Sequence, residues 1–273
     1  MKKMYRAPAA NATLALLLAA LVTGTMAEEI KIGGTGNGLG TMRLMGAAFS
    51  KAYPEVQVRV LGSLGSSGAI KAVPKGALDI GLTSRVLTEQ ERKEGLVITE
   101  YARTPTVFAV AQSSGLTALT RGQIADIYAG RLVKWADGTS IRPVLRQPGD
   151  DNTRQVRGLS TAIDQALNIA EKRPGLPFAV IDQEAADKIE TIPGGIGVTT
   201  LALIKSEGRS LKALAVDTVE PTTQNAASGA YPLVKHFYFV TMGVQTPSVQ
   251  KFIEFVKTAA GRDLLASNGH WIP

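Results

Sequence analysis

Ile30-Lys31-Ile32-Gly33-Gly34-Thr35-Gly36-Asn37-Gly38-Leu39-Gly40 is the stretch that decides the fold. A short β-rich run breaks into a glycine-dense turn and passes directly into a segment where Met42, Met45, Phe49 and Tyr53 recur at helical spacing. The spacing predicts a helix over 38–53 with one buried face, which makes those methionines core residues. The rhythm continues with a strand over 56–61, a helix over 67–74 and a strand over 78–82, a βαβ chain that predicts a mostly parallel sheet covered by helices. In such a sheet, backbone N–H groups of the first glycine turn and the helix N-terminus behind it converge where a small anion can sit. The second strand ends in the same way, in Gly62-Ser63-Leu64-Gly65-Ser66-Ser67-Gly68. Two neighbouring strands therefore offer amide-rich, hydroxyl-bearing turns at one carboxyl edge.

Further along, the third strand reaches Asp79-Ile80-Gly81-Leu82-Thr83-Ser84-Arg85, and a later segment runs Arg146-Gln147-Pro148-Gly149-Asp150-Asp151-Asn152-Thr153-Arg154 ahead of a helix. Arginine presents a planar fork that matches an oxyanion with two bonds at once, so Arg146 is placed to close on an anion. Its plainer role is a salt bridge to Asp150 or Asp151, one of which is expected to cap the following helix. Asp79 is expected to serve strand-end backbone contacts. Thr88 with Glu91 and Thr120 with Gln123 have the form of capping boxes, and Thr246-Pro247 that of a cap followed by proline at the first helical position.

The 273 residues are 45% hydrophobic and 19% charged, which excludes wholesale disorder and a multi-span membrane protein. The first 27 residues combine Lys2, Lys3 and Arg6 with an apolar run from Leu14 to Val22 and a Thr25-Met26-Ala27 stop, the pattern of a cleaved signal peptide that exports the chain. Three of the cations lie there with no acid, leaving +4 of the formal +7 on the body. A mildly basic body suits small anions and lacks the dense Lys/Arg stripe of a nucleic-acid groove. Zero cysteines agree with an oxidising compartment. Two apolar runs, Thr106 to Val110 and Phe237 to Thr241, read as strands crossing between two lobes, with lobe 1 spanning 28–109 and 236–273 and lobe 2 spanning 110–235; the alternative is a single continuous sheet with a long surface loop near Glu171 to Pro177. Trp135 and Trp271 are expected to pack within the lobes.

Known catalytic and cofactor signatures are missing. The glycine turns do not fit G-x-G-x-x-G, no phosphate-binding G-x-x-x-x-G-K-[ST] string occurs, and nothing matches G-x-S-x-G. His236 and His270 stand alone, without cysteine or H-E-x-x-H partners, so neither metal, cofactor nor enzymatic activity is expected.

The string GSSGAIKAVPKGALDIGLTSR (65–85), the segment LTALTRGQIADIYAGRLVKWADG (116–138), the PGGIGV turn (193–198) and VEPTTQNAASGAYPLVKHFYFVT (219–241) resemble, in order, the periplasmic phosphate-binding proteins of high-affinity ABC phosphate importers. The resemblance implies a two-lobed, hinge-closing receptor of the type II periplasmic-binding-protein fold, monomeric, holding inorganic phosphate in the interlobe cleft and delivering it to an ABC permease in the inner membrane. By position it implies ligand contacts from Thr35, Gly36, Asn37, Ser66, Ser84, Arg85, Arg146 and Thr153.

Two departures keep the ligand open. The first turn keeps its amides but has fewer hydroxyls than the family's. The family's R-x-x-G-S-G-T becomes an eight-residue segment from Arg146 to Thr153 with Asp150 and Asp151 where a serine is expected. A carboxylate there repels a fully ionised oxyanion, or accepts the proton of a protonated one and so reads protonation. A receptor for another oxyanion or a small carboxylate, and an exported interaction protein with a degenerate cleft, both remain compatible with the residues.

Overall fold

The computed structural model describes residue 1 and residues 27–273. The predicted leader lies almost wholly outside them. The first part of the chain forms β1 (Glu28–Gly34), α1 (Gly36–Ala52), β2 (Val56–Ser63), α2 (Gly65–Ala72), β3 (Ile80–Thr83), α3 (Glu89–Lys93) and β4 (Leu96–Ala111). There follow β5 (Ala118–Leu119), α4 (Arg121–Ala129), β6 (Arg142–Pro143), α5 (Asp151–Arg157), α6 (Thr161–Ala170) and α7 (Asp182–Thr191). Next come β7 (Gly195–Thr200), α8 (Leu201–Ser206), β8 (Leu211–Ala213), β9 (Ala215–Val216) and α9 (Thr223–Ala227). The chain then returns through β10 (Val234–Met242), α10 (Pro247–Lys257) and α11 (Ala259–Ser267).

The main sheet runs β2-β1-β3-β10-β4-β7-β6, with β8 also on β4. The βαβ rhythm of the first hundred residues gives the parallel set β2-β1-β3. Beyond it the sheet is mixed, because β10 runs antiparallel to both β3 and β4, and β4 antiparallel to β7 and β8. A chain that leaves through one long strand and returns through another has to bring at least one of them in reversed. β4 changes partners along its length: residues 96–105 pair with β10 and 106–111 with β7 and β8.

Buried side chains gather on either side of that change. One cluster joins Ile30, Ile32, Met42, Met45 and Phe49 to Phe237, Phe239 and Phe252, so the predicted α1 face is core, with Tyr53 packed at its margin. Another joins Phe108, Ile124, Tyr128, Ile163 and Tyr231, with Trp135 and Trp271 against it. The caps form as the sequence predicts. Thr88 with Glu91 and Thr120 with Gln123 close reciprocal capping boxes, and Thr246 caps α10 ahead of Pro247. Asp79 accepts the Lys31 N–H at 2.7 Å, locking β3 to β1. At Gly34, with φ of 147°, a Cβ would stand 2.1 Å from the Leu82 carbonyl oxygen, so only glycine lets β1 lie this close to β3 as it enters α1. Among the described residues no helix is long and apolar enough to cross a membrane.

Candidate functional site

A cavity of about 440 Å³ opens where the carboxyl ends of β1, β2 and β3 face the β6–α5 loop and the start of α7. From one side come Thr35, Asn37, Ser66, Ser84 and Arg85; from the other Arg146, Asp150, Asp151, Arg154 and Asp182; Lys235 of β10 completes the wall. Eight residues expected from the sequence therefore meet in one place. Gly36 lies directly behind Asn37 but does not line the cavity. Thr153 is not brought to it. Asp150 caps α5 and turns Thr153, at the third helical position, inward, where it lines a small void with Tyr128 and Val156.

Arg146 is buried, 9% exposed. Its backbone is fixed because Leu145 donates to Pro177 O and accepts from Ala179 N–H, at 2.8 and 2.9 Å. Nη1 donates to Asp182 Oδ1 and Nη2 to Asp150 Oδ2, each at 2.8 Å. Nε is buried with no hydrogen-bond partner among the described residues. The predicted ion pair with Asp150 is thus present, and Asp182 adds a second carboxylate that no motif announced.

Asp150 also takes the N–H groups of Asn152 and Thr153 on Oδ1, at 3.0 and 3.4 Å. Burial raises its pKa, outweighing the opposing pull of Arg146. Asp151 goes the other way: burial works against its charge, but Lys235 beside it holds its pKa below the usual carboxylate value. Lys235 Nζ donates to Asp151 Oδ2 at 2.7 Å, and the lysine side chain is only 2% exposed. Neighbouring aspartates at the start of one helix therefore differ in charge preference.

The first-lobe wall is built from its turns. Ser66 Oγ accepts the Ser84 N–H at 3.0 Å and lies 3.2 Å from Ser84 Oγ, which ties the start of α2 to the end of β3. Arg85 donates from both terminal nitrogens to Glu91, at 2.9 and 2.8 Å. That hydrogen-bonded pair lowers the Glu91 pKa to about 2. Arg85 thus lines the cavity with its fork already engaged. Asn37 donates its backbone N–H to Asp182 Oδ2 at 3.1 Å, and its side-chain oxygen accepts from Thr200 Oγ1 at 3.0 Å. A Cβ at Gly36 would stand 2.5 Å from Gln183 Oε1 and 2.8 Å from Asp182 Oδ2, so glycine is what admits α7 to this turn.

Asp182, Lys235 and Arg154 also line the cavity, and no motif in the sequence marks them. Lys235 sits inside a segment quoted for its family likeness, but nothing local distinguishes a buried lysine from an exposed one. Asp182 follows Val180 and Ile181 without a motif, and only the fold brings it to the first glycine turn. The arrangement offers hydroxyls, one deeply buried guanidinium and a buried ammonium to a small ligand, tempered by three carboxylates.

A mixed α/β body whose glycine turns and arginines meet in one cavity has the architecture of the type II periplasmic-binding fold. The chain belongs to the PBP superfamily, whose domain model matches residues 20–259. It is 25% identical over 237 residues to the phosphate-binding protein PstS of Bacillus subtilis (strain 168), covering 82% of this chain and 74% of that one. Among solved structures it resembles a putative phosphate ABC transporter substrate-binding protein with bound phosphate from Clostridium perfringens, with a TM-score of 0.75, 23% identity and coverage of 90% of this chain and 100% of the other. The periplasmic molybdate-binding protein of Azotobacter vinelandii shares the fold, with a TM-score of 0.63, 15% identity and coverage of 89% and 99%.

Proposed function

We propose that this protein is an exported receptor that captures inorganic phosphate in its interlobe cleft and presents it to an ABC permease. The observation that carries the reading is Arg146: a guanidinium 9% exposed, with an unpartnered Nε, on the wall of a cavity that also gathers Thr35, Ser66 and Ser84. A buried arginine is the side chain that recruits anionic partners, and here its terminal nitrogens already hold two carboxylates that a ligand would have to replace or join. The phosphate-binding relative and the signal-like start of the chain support capture outside the cytoplasm and hand-over to a membrane partner. In this reading lobe 1 (28–109 with 236–273) and lobe 2 (110–235) hinge as a monomer, and ligand shifts the population toward a closed form that the permease reads. Binding and release need neither metal nor covalent step.

A second reading, a receptor for a different oxyanion or a small carboxylate, uses the same donors and turns on the three carboxylates of the cavity wall, which repel a fully ionised anion and accept the proton of a protonated one. Calorimetry and thermal unfolding with phosphate, sulfate, molybdate and acetate separate the two. Phosphate at 100 times its dissociation constant should stabilise the protein by about 2.7 kcal/mol, and Arg146→Ala should abolish the effect. Preference for another oxyanion transfers the assignment to it, and indifference to the whole panel removes the receptor reading.

A further inference from the structure

Asp182 does something that neither capture nor delivery requires. Its carboxylate reaches across the cleft: Oδ2 accepts the Asn37 N–H at 3.1 Å and Oδ1 accepts Arg146 Nη1 at 2.8 Å. The neighbouring Gln183 makes the same crossing, donating from Nε2 to Gly36 O at 2.8 Å. Asn37 lies in the first turn of α1, a 17-residue helix, where N–H groups have no partner within the helix. An amide at a helix N-terminus and an arginine fork are the two kinds of donor that an oxyanion recruits. Here a carboxylate of the protein itself holds one of each, and Asp182 is only 6% exposed.

We infer that Asp182 is an internal counter-anion: it ties the two lobes together through Asn37 and Arg146, and an incoming oxyanion has to displace it. The affinity part of this inference rests on the oxyanion reading of the cleft; the tie does not. A tethered carboxylate competes at a high effective concentration, so the protein binds its ligand more weakly than the same donors would if left free. Asp182 thereby acts as a setting on affinity, and on how readily the lobes part.

Two measurements test it. Asp182→Asn keeps the side-chain volume and removes the charge; calorimetry with phosphate should show binding about tenfold tighter than wild type. Equal or weaker binding overturns the displacement. Hydrogen exchange at the Asn37 amide in the wild-type protein without ligand reads the tie directly, because helix α1 supplies that amide no bond of its own. The amide should be protected in wild type and exchange at least about tenfold faster in Asp182→Ala. Free exchange in wild type overturns the tie even where a variant fails to fold. If wild type takes up no oxyanion, the receptor reading fails, and the exchange result alone then upholds or overturns the tie.

Discussion

Lys235 and Asp151 form an ion pair 2.7 Å long between β10 and the first residue of α5, with the lysine side chain 2% exposed and the aspartate 21%. Only the aspartate retains contact with water. Removing the cation leaves a carboxylate in poor surroundings, which costs more than the pair contributes when whole. Lys235→Met is expected to lower stability by about 3 kcal/mol, measured by urea unfolding, and Lys235→Met with Asp151→Leu to regain most of it. A single variant as stable as wild type would show that the lone Asp151 carboxylate carries no penalty.

Asp150 has two separable duties, capping α5 and placing charge beside Arg146. Asp150→Ser keeps an oxygen for the Asn152 and Thr153 amides and discards the charge, so its stability should stay near wild type while phosphate binding tightens. Asp150→Ala loses the cap as well and should unfold about 1 kcal/mol more easily. Equal midpoints for both variants in a denaturant titration would rule out the capping contribution.

Gly36 admits α7 to the first turn. Gly36→Ala would push a methyl against Gln183 and Asp182 and should cost about 1–3 kcal/mol, with faster exchange at Asn37. An unchanged unfolding midpoint would mean that this contact yields freely.

His270 is buried, 2.9 Å from Thr41 Oγ1 through Nε2, and burial depresses its pKa from 6.5 to about 3. Between those values the unfolded chain binds a proton that the native protein refuses, so stability complete above pH 6.5 is lost progressively as pH falls toward 3. Glu91 adds to acid lability only lower down, as pH falls from its ordinary 4.5 toward 2. Urea midpoints recorded from pH 7 to pH 4 should therefore decline in wild type and flatten in His270→Gln; parallel profiles would refute the assignment.

The elements that the sequence made legible are those set by local rules. Helical spacing at Met42, Met45 and Phe49, the Thr-x-x-Glu and Thr-x-x-Gln boxes, and Asp150 as a cap each depend on residues within a few positions of one another. The glycine turns and Arg146 were visible because conformational freedom and a forked cation are properties of the residue itself. Asp182 meets Asn37 across 145 positions, and Lys235 meets Asp151 across 84, distances over which a single sequence carries no pairing signal. Thr153 is the third residue of α5, and the direction of its side chain depends on where that helix starts, which Asp150 sets as its cap.

The unbroken β4 has one more implication. Because it passes from β10 to β7 and β8 without a loop between, any change in the angle of the lobes must be absorbed as torsion of a hydrogen-bonded ribbon near Pro105 and Thr106, beside the Thr106 N–H to Leu233 O bond at 3.0 Å. Under the proposed hinge, such a ribbon would resist twisting more than a flexible tether, and opening would meet elastic resistance at that point.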